Sequence, residues 1–261
     1  MYIDVHCHLT GDEWDENGGV KTAIERAEQV GVARMICSGF DLQSSKIACA
    51  LAETYASVYF CAGFHPSELH KYKDGDLDEI KRLCQHEKCV AVGEIGLDYH
   101  FDDNPEKSVQ KRLFIEQLRL ANDLGLPVVI HSRDAAQDTA ELLEEHAGLL
   151  PCGGLMHCYS YSAEMAARFE KLGLRFSFGG PATFKNSKKV WESVESLGIE
   201  NILSETDCPY LTPVPFRGIF PNEPKNIPYI VRRLAELKGV DETQMQSQIE
   251  KNAYALFTKL K

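Results

Sequence analysis

Residues 2–9 read YIDVHCHL. The run is too short and too rich in β-favouring residues for a helix, and it alternates with period two. Asp4, His6 and His8 share one parity, and Ile3, Val5, Cys7 and Leu9 share the other. The apolar set suits packing against helices, which directs the polar set into the interior of a barrel. Two imidazoles and a carboxylate in an interior need partners, because buried polar groups without them are costly. A divalent metal ion satisfies them, and a hydrogen-bonded buried network is the competing reading.

Outward from this stretch the chain repeats one alternation. Strand candidates fall at 2–9, 33–39, 58–65, 90–97, 127–133, 153–159, 174–179 and 202–208. Helical patterns lie between them, at 19–30, 44–56, 76–86, 106–124, 135–146, 163–172, 188–197 and 225–238. Eight strands each followed by a helix predict a single-domain (β/α)8 TIM barrel over residues 1–261. No G-x-G-x-x-G follows the first strand, so the main signal of a dinucleotide fold is missing. A last helix, about 241–259, opens with Asp241 and Gln244 at capping-box spacing and is expected to cover one end or side of the barrel.

The other chemistry-bearing residues come near strand C-termini, the face where such barrels place their sites. His65 stands in CAGFHP, Glu94 in VGEIGLDY, His131 in PVVIHSR, His157 in GLMHCYS and Asp207 in LSETDCP. Glu94 can bridge two ions, with His6, His8 and Asp207 completing one and His131 with His157 the other. Imidazole and carboxylate together suit Zn²⁺ or Mn²⁺, and Mg²⁺ less naturally. A third ion or a phosphate oxygen is the expectation for His65. Two ions about 4 Å apart can activate a bridging water and clamp the attacking and leaving oxygens of a phosphoryl transfer. Glu94 and Asp207 are therefore the candidate catalytic carboxylates.

At these residues the chain resembles the TatD family of metal-dependent deoxyribonucleases, within the amidohydrolase-like barrels. The stretches DVHCHL, GFHP, GEIGLDY, VIHSRDA, HCYS, SETDCPYL, NEPKNIPYI and NAYALF carry the likeness in order over nearly the full length. The resemblance implies a metal-dependent phosphodiesterase acting on DNA, commonly a 3′-to-5′ exonuclease. Dihydroorotase-like and phosphotriesterase-like barrels typically bridge their metals with a carboxylated lysine on strand four, where this chain has Glu94. Hydrolysis of a cyclic amide, a lactone or an acyl-tRNA ester is the alternative.

Around the ligands, Glu205 and Asp4 are expected to orient metal-binding imidazoles. Arg133, Lys185 and Arg217 are phosphate candidates, and Tyr210 or Phe216 could stack on a base. Asn222, Glu223 and Asn226 are expected to brace the Pro-rich loop 209–226. Cys84, His86 and Cys89 in CQHEKC lack a nearby fourth ligand and are read as incidental. Cys208 has the wrong parity for a nucleophile.

The net charge of −11 argues against a broad basic nucleic-acid surface, though ions can supply local positive charge. Single-stranded DNA ends are accordingly the expected partner, with no membrane and no obligatory protein partner. No apolar run is long enough to span a bilayer, and the N-terminus lacks the basic and apolar regions of a signal peptide. Nine cysteines, odd in number and mostly in apolar runs, fit a reducing compartment, so the expected location is cytoplasmic.

Overall fold

The computed structural model describes the backbone of residues 1–261 and all side chains except those of residues 16 and 17. Eight parallel strands follow in sequence order: β1 Tyr2–Cys7, β2 Val32–Ser38, β3 Val58–Ala62, β4 Cys89–Asp98, β5 Val128–Arg133, β6 Gly154–Met156, β7 Leu174–Phe178 and β8 Ile202–Ser204. Around them lie α1 Gly19–Gln29, α2 Leu42–Thr54, α3 Asp76–Cys84, α4 Lys107–Leu124, α5 Ala136–Glu145, α6 Ala163–Glu170, α7 Lys188–Ser196 and α8 Ile227–Lys238. This is the TIM barrel the alternation predicts. No helix is long and apolar enough to cross a membrane among the described residues.

The final helix α9, Glu242–Leu256, starts where the cap signal places it, with the Asp241 carboxylate accepting from Gln244 N at 2.8 Å. It covers an end of the barrel. Ala253 and Leu256 pack with Phe257 and Leu260 against Ile3, Val5, Ile36, Val129, Leu155 and Leu203. That apolar plug fills the interior at the strands' N-terminal end and leaves the opposite end for polar side chains.

Ile3 and Val5 thus face inward, which the simple alternation did not allow. The reason is a register shift: Asp4 pairs with Met35 and Cys7 with Cys37, so β1 spends three steps where β2 spends two. A bulge of this kind re-aims the chain, so that His6 and His8 point inward although Ile3 and Val5 do too. Asp4 therefore does not share their face. β4 has the same device between Val92 and Ile95, and Glu94 lies inside it.

Asp4 instead ties the seam between β1 and β8. Its carboxylate accepts from Thr206 N at 2.9 Å and from Thr206 Oγ1, and Ser204 Oγ donates to Ile3 O at 3.0 Å. Beyond β8, Asp207 N donates to His6 O at 3.0 Å and His8 N to Cys208 O at 2.7 Å. Burial pushes the Asp4 carboxyl up to about 8, against the Thr206 donors that favour its charge. Asp4 is a structural tie, not the imidazole-orienting group expected of it. Asp4→Ala is expected to destabilise the fold by about 1–3 kcal/mol for each buried donor left without an acceptor. Asp4→Asn, which keeps an acceptor and sheds the charge, should unfold in urea close to wild type; equal losses in both variants would contradict this role.

Candidate metal centre

The inward polar groups meet at the strands' C-terminal end in two clusters that share Glu94. In the first, His6 Nε2 and His8 Nε2 lie 3.2 Å apart. Glu94 Oε2 is 3.3 Å from the former and 3.6 Å from the latter. Asp207 Oδ1 is 3.6 Å and 3.4 Å from the same two nitrogens. In the second cluster Glu94 Oε1 is 2.9 Å from both His131 Nδ1 and His157 Nε2, which are 3.1 Å from each other. The six residues singled out in the sequence are brought together, and the two oxygens of one carboxylate face one cluster each.

Local backbone makes this possible. His157 and Asp207 lie just past β6 and β8, where the chain has left the ladder. Asp207 has φ 53° and the neighbour of His157, Cys158, has φ 45°. Non-glycine residues rarely adopt this left-handed conformation, and such strain concentrates at functional sites.

The far nitrogen of each imidazole decides which atom carries its lone pair. His8 Nδ1 is 3.1 Å from Ser38 O, a carbonyl that can only accept, so Nε2 is the bare nitrogen. His6 Nδ1 faces Ser38 Oγ at 2.9 Å. His131 Nε2 is 3.0 Å from Asp98 Oδ2. His157 Nδ1 and Glu205 Oε1 are both buried, without a hydrogen-bond partner, and 3.7 Å apart. Each imidazole can therefore carry its proton on the outside and turn a lone pair into the cluster, the arrangement metal-ligating histidines use. Glu205 points inward, as its parity predicts, and sits behind His157, while Ser177 Oγ donates to its other oxygen.

The charges point the same way. Burial pushes Glu94 up, yet His157, His65 and His6 hold it well below the usual carboxylate range. Burial pulls His157 down, yet Glu94 and Glu205 raise it well above its ordinary value, and His8 and His131 are also raised by facing carboxylates. His6 goes the other way, lowered by burial and by His157. These shifts come from carboxylates packed against imidazoles, and a divalent ion would take the place of the imidazole protons as the carboxylates' counter-charge. The donor set fits a metal.

Two groups that back the imidazoles were missed by sequence reading. Ser38 acts through its carbonyl and hydroxyl, and nothing in the sequence marks it. Asp98 was legible, since it follows Glu94 by an even step in GEIGLDY. His65 lies three residues past β3, with Nε2 3.3 Å from Glu94 Oε1 and Nδ1 accepting from Ser67 N at 3.1 Å. With Asp98 and His131 it forms a further group able to hold an ion.

Above the clusters opens a cavity of about 780 Å³, within the usual range for a small-molecule site. Arg133 and Tyr210 line it, as does Phe101, over which the Arg133 guanidinium sits at 5.0 Å. Arg217 and Lys185 do not line it: Arg217 is stacked on Phe184 at 4.2 Å, and Phe216 packs edge-on against Tyr229. The loop bracing is as expected, with Asn222 Nδ2 donating to Thr206 O and Tyr210 O, and Asn226 Nδ2 to Asn222 Oδ1. Cys84 and Cys89 are buried in the layer between strands and helices, and Lys88 N donates to His86 Nδ1.

Known proteins share this architecture. The TatD related DNase family matches residues 3–258. An uncharacterised metal-dependent hydrolase of Bacillus subtilis, YabD, is 42 % identical over 257 residues, covering 98 % of this chain and 99 % of its own. The Mycobacterium tuberculosis metal-dependent hydrolase TatD is 35 % identical, over 90 % of this chain and 89 % of its own. The crystal structure of YjjV, a TatD homologue from Escherichia coli, superposes with a TM-score of 0.91 at 33 % identity, covering 98 % of both chains. The chain belongs to the TatD family of metal-dependent hydrolases.

Proposed function

We propose that the protein is a metal-dependent deoxyribonuclease that trims single-stranded DNA from an end, through two divalent ions shared by Glu94. The observation that carries this reading is the division of Glu94, one oxygen to the His6–His8–Asp207 cluster and the other to the His131–His157 cluster. When bound, two such ions supply Lewis acidity for a water and for both oxygens of a phosphodiester displacement. The chain's residues do the remainder. Asp207 lines the cavity and is 14 % exposed where Glu94 is 3 %, so it is the carboxylate placed to accept the proton of an attacking water. Its neighbours His8, His157 and His6 outweigh the effect of burial and keep it ionised, as an acceptor must be. His65 is placed to hold a phosphoryl oxygen or a third ion.

The residues that line the cavity favour a short, unpaired stretch of strand. Arg133 is the one Arg or Lys among the described residues that line it, so a long polyphosphate track has little to hold it there. Phe101, 51 % exposed, follows β4, and Tyr210, 59 % exposed, follows β8, half the barrel away. Aromatic faces of this kind stack unpaired bases at about 1–3 kcal/mol per base. The 3′-to-5′ polarity follows the family. Linear single-stranded DNA should be degraded, blunt duplex slowly, and a covalently closed single-stranded circle should resist. Cutting of the circle as fast as the linear strand would make the protein an endonuclease. Hydrolysis of dihydroorotate or a lactone with DNA untouched would move it to the amidohydrolase reading.

A further inference from the structure

Asp98 ends β4 and is 2 % exposed, with no substrate-facing task in the account above. Its position is fixed with unusual care. Asp98 N donates to Gln110 Oε1 at 2.8 Å, and Gln110 Nε2 donates back to Asp98 O at 2.9 Å, so the buried amide of an α4 residue pins this backbone unit from both sides. Asp98 Oδ1 accepts from His100 N at 2.9 Å and Asn104 Nδ2 at 3.0 Å. That leaves Oδ2 aimed at His131 Nε2, 3.0 Å away.

A neutral imidazole has one N–H and one lone pair. A carboxylate facing Nε2 favours the proton there, so the lone pair falls on Nδ1, the nitrogen that faces Glu94 Oε1 and His157 Nε2. We propose that Asp98 is a positioning residue of the metal centre: it holds His131 in the Nε2-protonated tautomer, so that Nδ1 is the atom offered to the ion, and its charge strengthens that donor. The two clusters are then unlike. His131 and His157 are each backed by a carboxylate, Asp98 and Glu205, whereas His6 and His8 are backed by the hydroxyl and carbonyl of Ser38. Loss of Asp98 acts on one ion position and spares the other. The inference rests on the metal-dependent reading of the site and not on DNA as the substrate.

The competing role for Asp98 is direct ligation, because His65, Asp98 and His131 could themselves surround an ion. The two roles exclude each other at His131 Nε2, which cannot both donate to Asp98 and give a lone pair to a metal. Titration of chelator-stripped protein with Zn²⁺, followed by calorimetry and by native mass spectrometry, separates them. Asp98→Asn is expected to bind as many ions as wild type at saturation, with one of them weakened about 10- to 100-fold and the others unchanged. Asn104→Ala, which removes the amide's contacts on Asp98 Oδ1 and O but leaves the charge of Oδ2 facing His131, should weaken that ion less than Asp98→Asn does. Nitrogen-15 spectra of histidine in zinc-loaded wild type should show His131 protonated at Nε2, a readout that does not depend on any variant folding. Unchanged affinities in Asp98→Asn, one ion fewer with the others unaffected, equal weakening in Asn104→Ala, or a bare His131 Nε2 would each overturn the proposal. Wild type that binds no ion would remove the metal reading itself, a result distinct from all of these.

Discussion

Glu94→Ala is expected to abolish turnover and to lower bound metal, while the protein stays folded. Glu94 is the residue on which both clusters converge, with an oxygen within 2.9–3.6 Å of His6, His8, His131 and His157. Without it, two ions held by these clusters would face each other with less negative charge between them, and each cluster would lack one of its donors. The fold should tolerate the loss, because the carboxylate is surrounded by imidazoles rather than by core packing, and its burial is itself unfavourable. Metal analysis, circular dichroism and a nuclease assay on one preparation check the prediction. Full activity in this variant would remove the shared-carboxylate account.

Asp207→Asn should lower kcat by at least about a hundredfold, in line with the loss of a positioned base. The substitution keeps shape and hydrogen-bonding oxygen but removes the charge that faces His6 and His8 at 3.6 and 3.4 Å. An effect confined to KM would reassign Asp207 to substrate binding, because an interaction lost equally from ground and transition states leaves kcat alone. Metal content measured alongside separates loss of a base from loss of a ligand.

The barrel was legible because its pattern is long and regular: eight β-rich runs, each with an amphipathic partner. The candidate ligands were legible because they are all imidazoles or carboxylates and fall at one end of several strands. The misplacement of Asp4 has its origin in a single-residue backbone irregularity. The shift between Asp4 and Cys7 costs one residue and leaves no mark in composition, yet it turns Asp4 away from His6 and His8 and onto Thr206. Substrate contacts were the least legible. Arg217 belongs to the loop after β8, but loop length does not give a side chain's direction, and this one turns to Phe184. Arg133 ends β5, two residues after His131, and its strand sets its direction toward the cavity. Phe101 escaped notice because a lone aromatic in a polar loop has no periodicity to betray it.

The central claim, a hydrolytic metal centre that acts on phosphodiesters, is tested most directly by metal removal and return. Wild-type protein stripped by chelator should lose activity on linear single-stranded DNA and on bis-p-nitrophenyl phosphate, and recover it when Mn²⁺ or Zn²⁺ is restored. Glu94→Ala treated in parallel should recover nothing. Activity on both phosphodiesters that survives complete metal removal, or recovery in the Glu94 variant equal to wild type, would contradict the account.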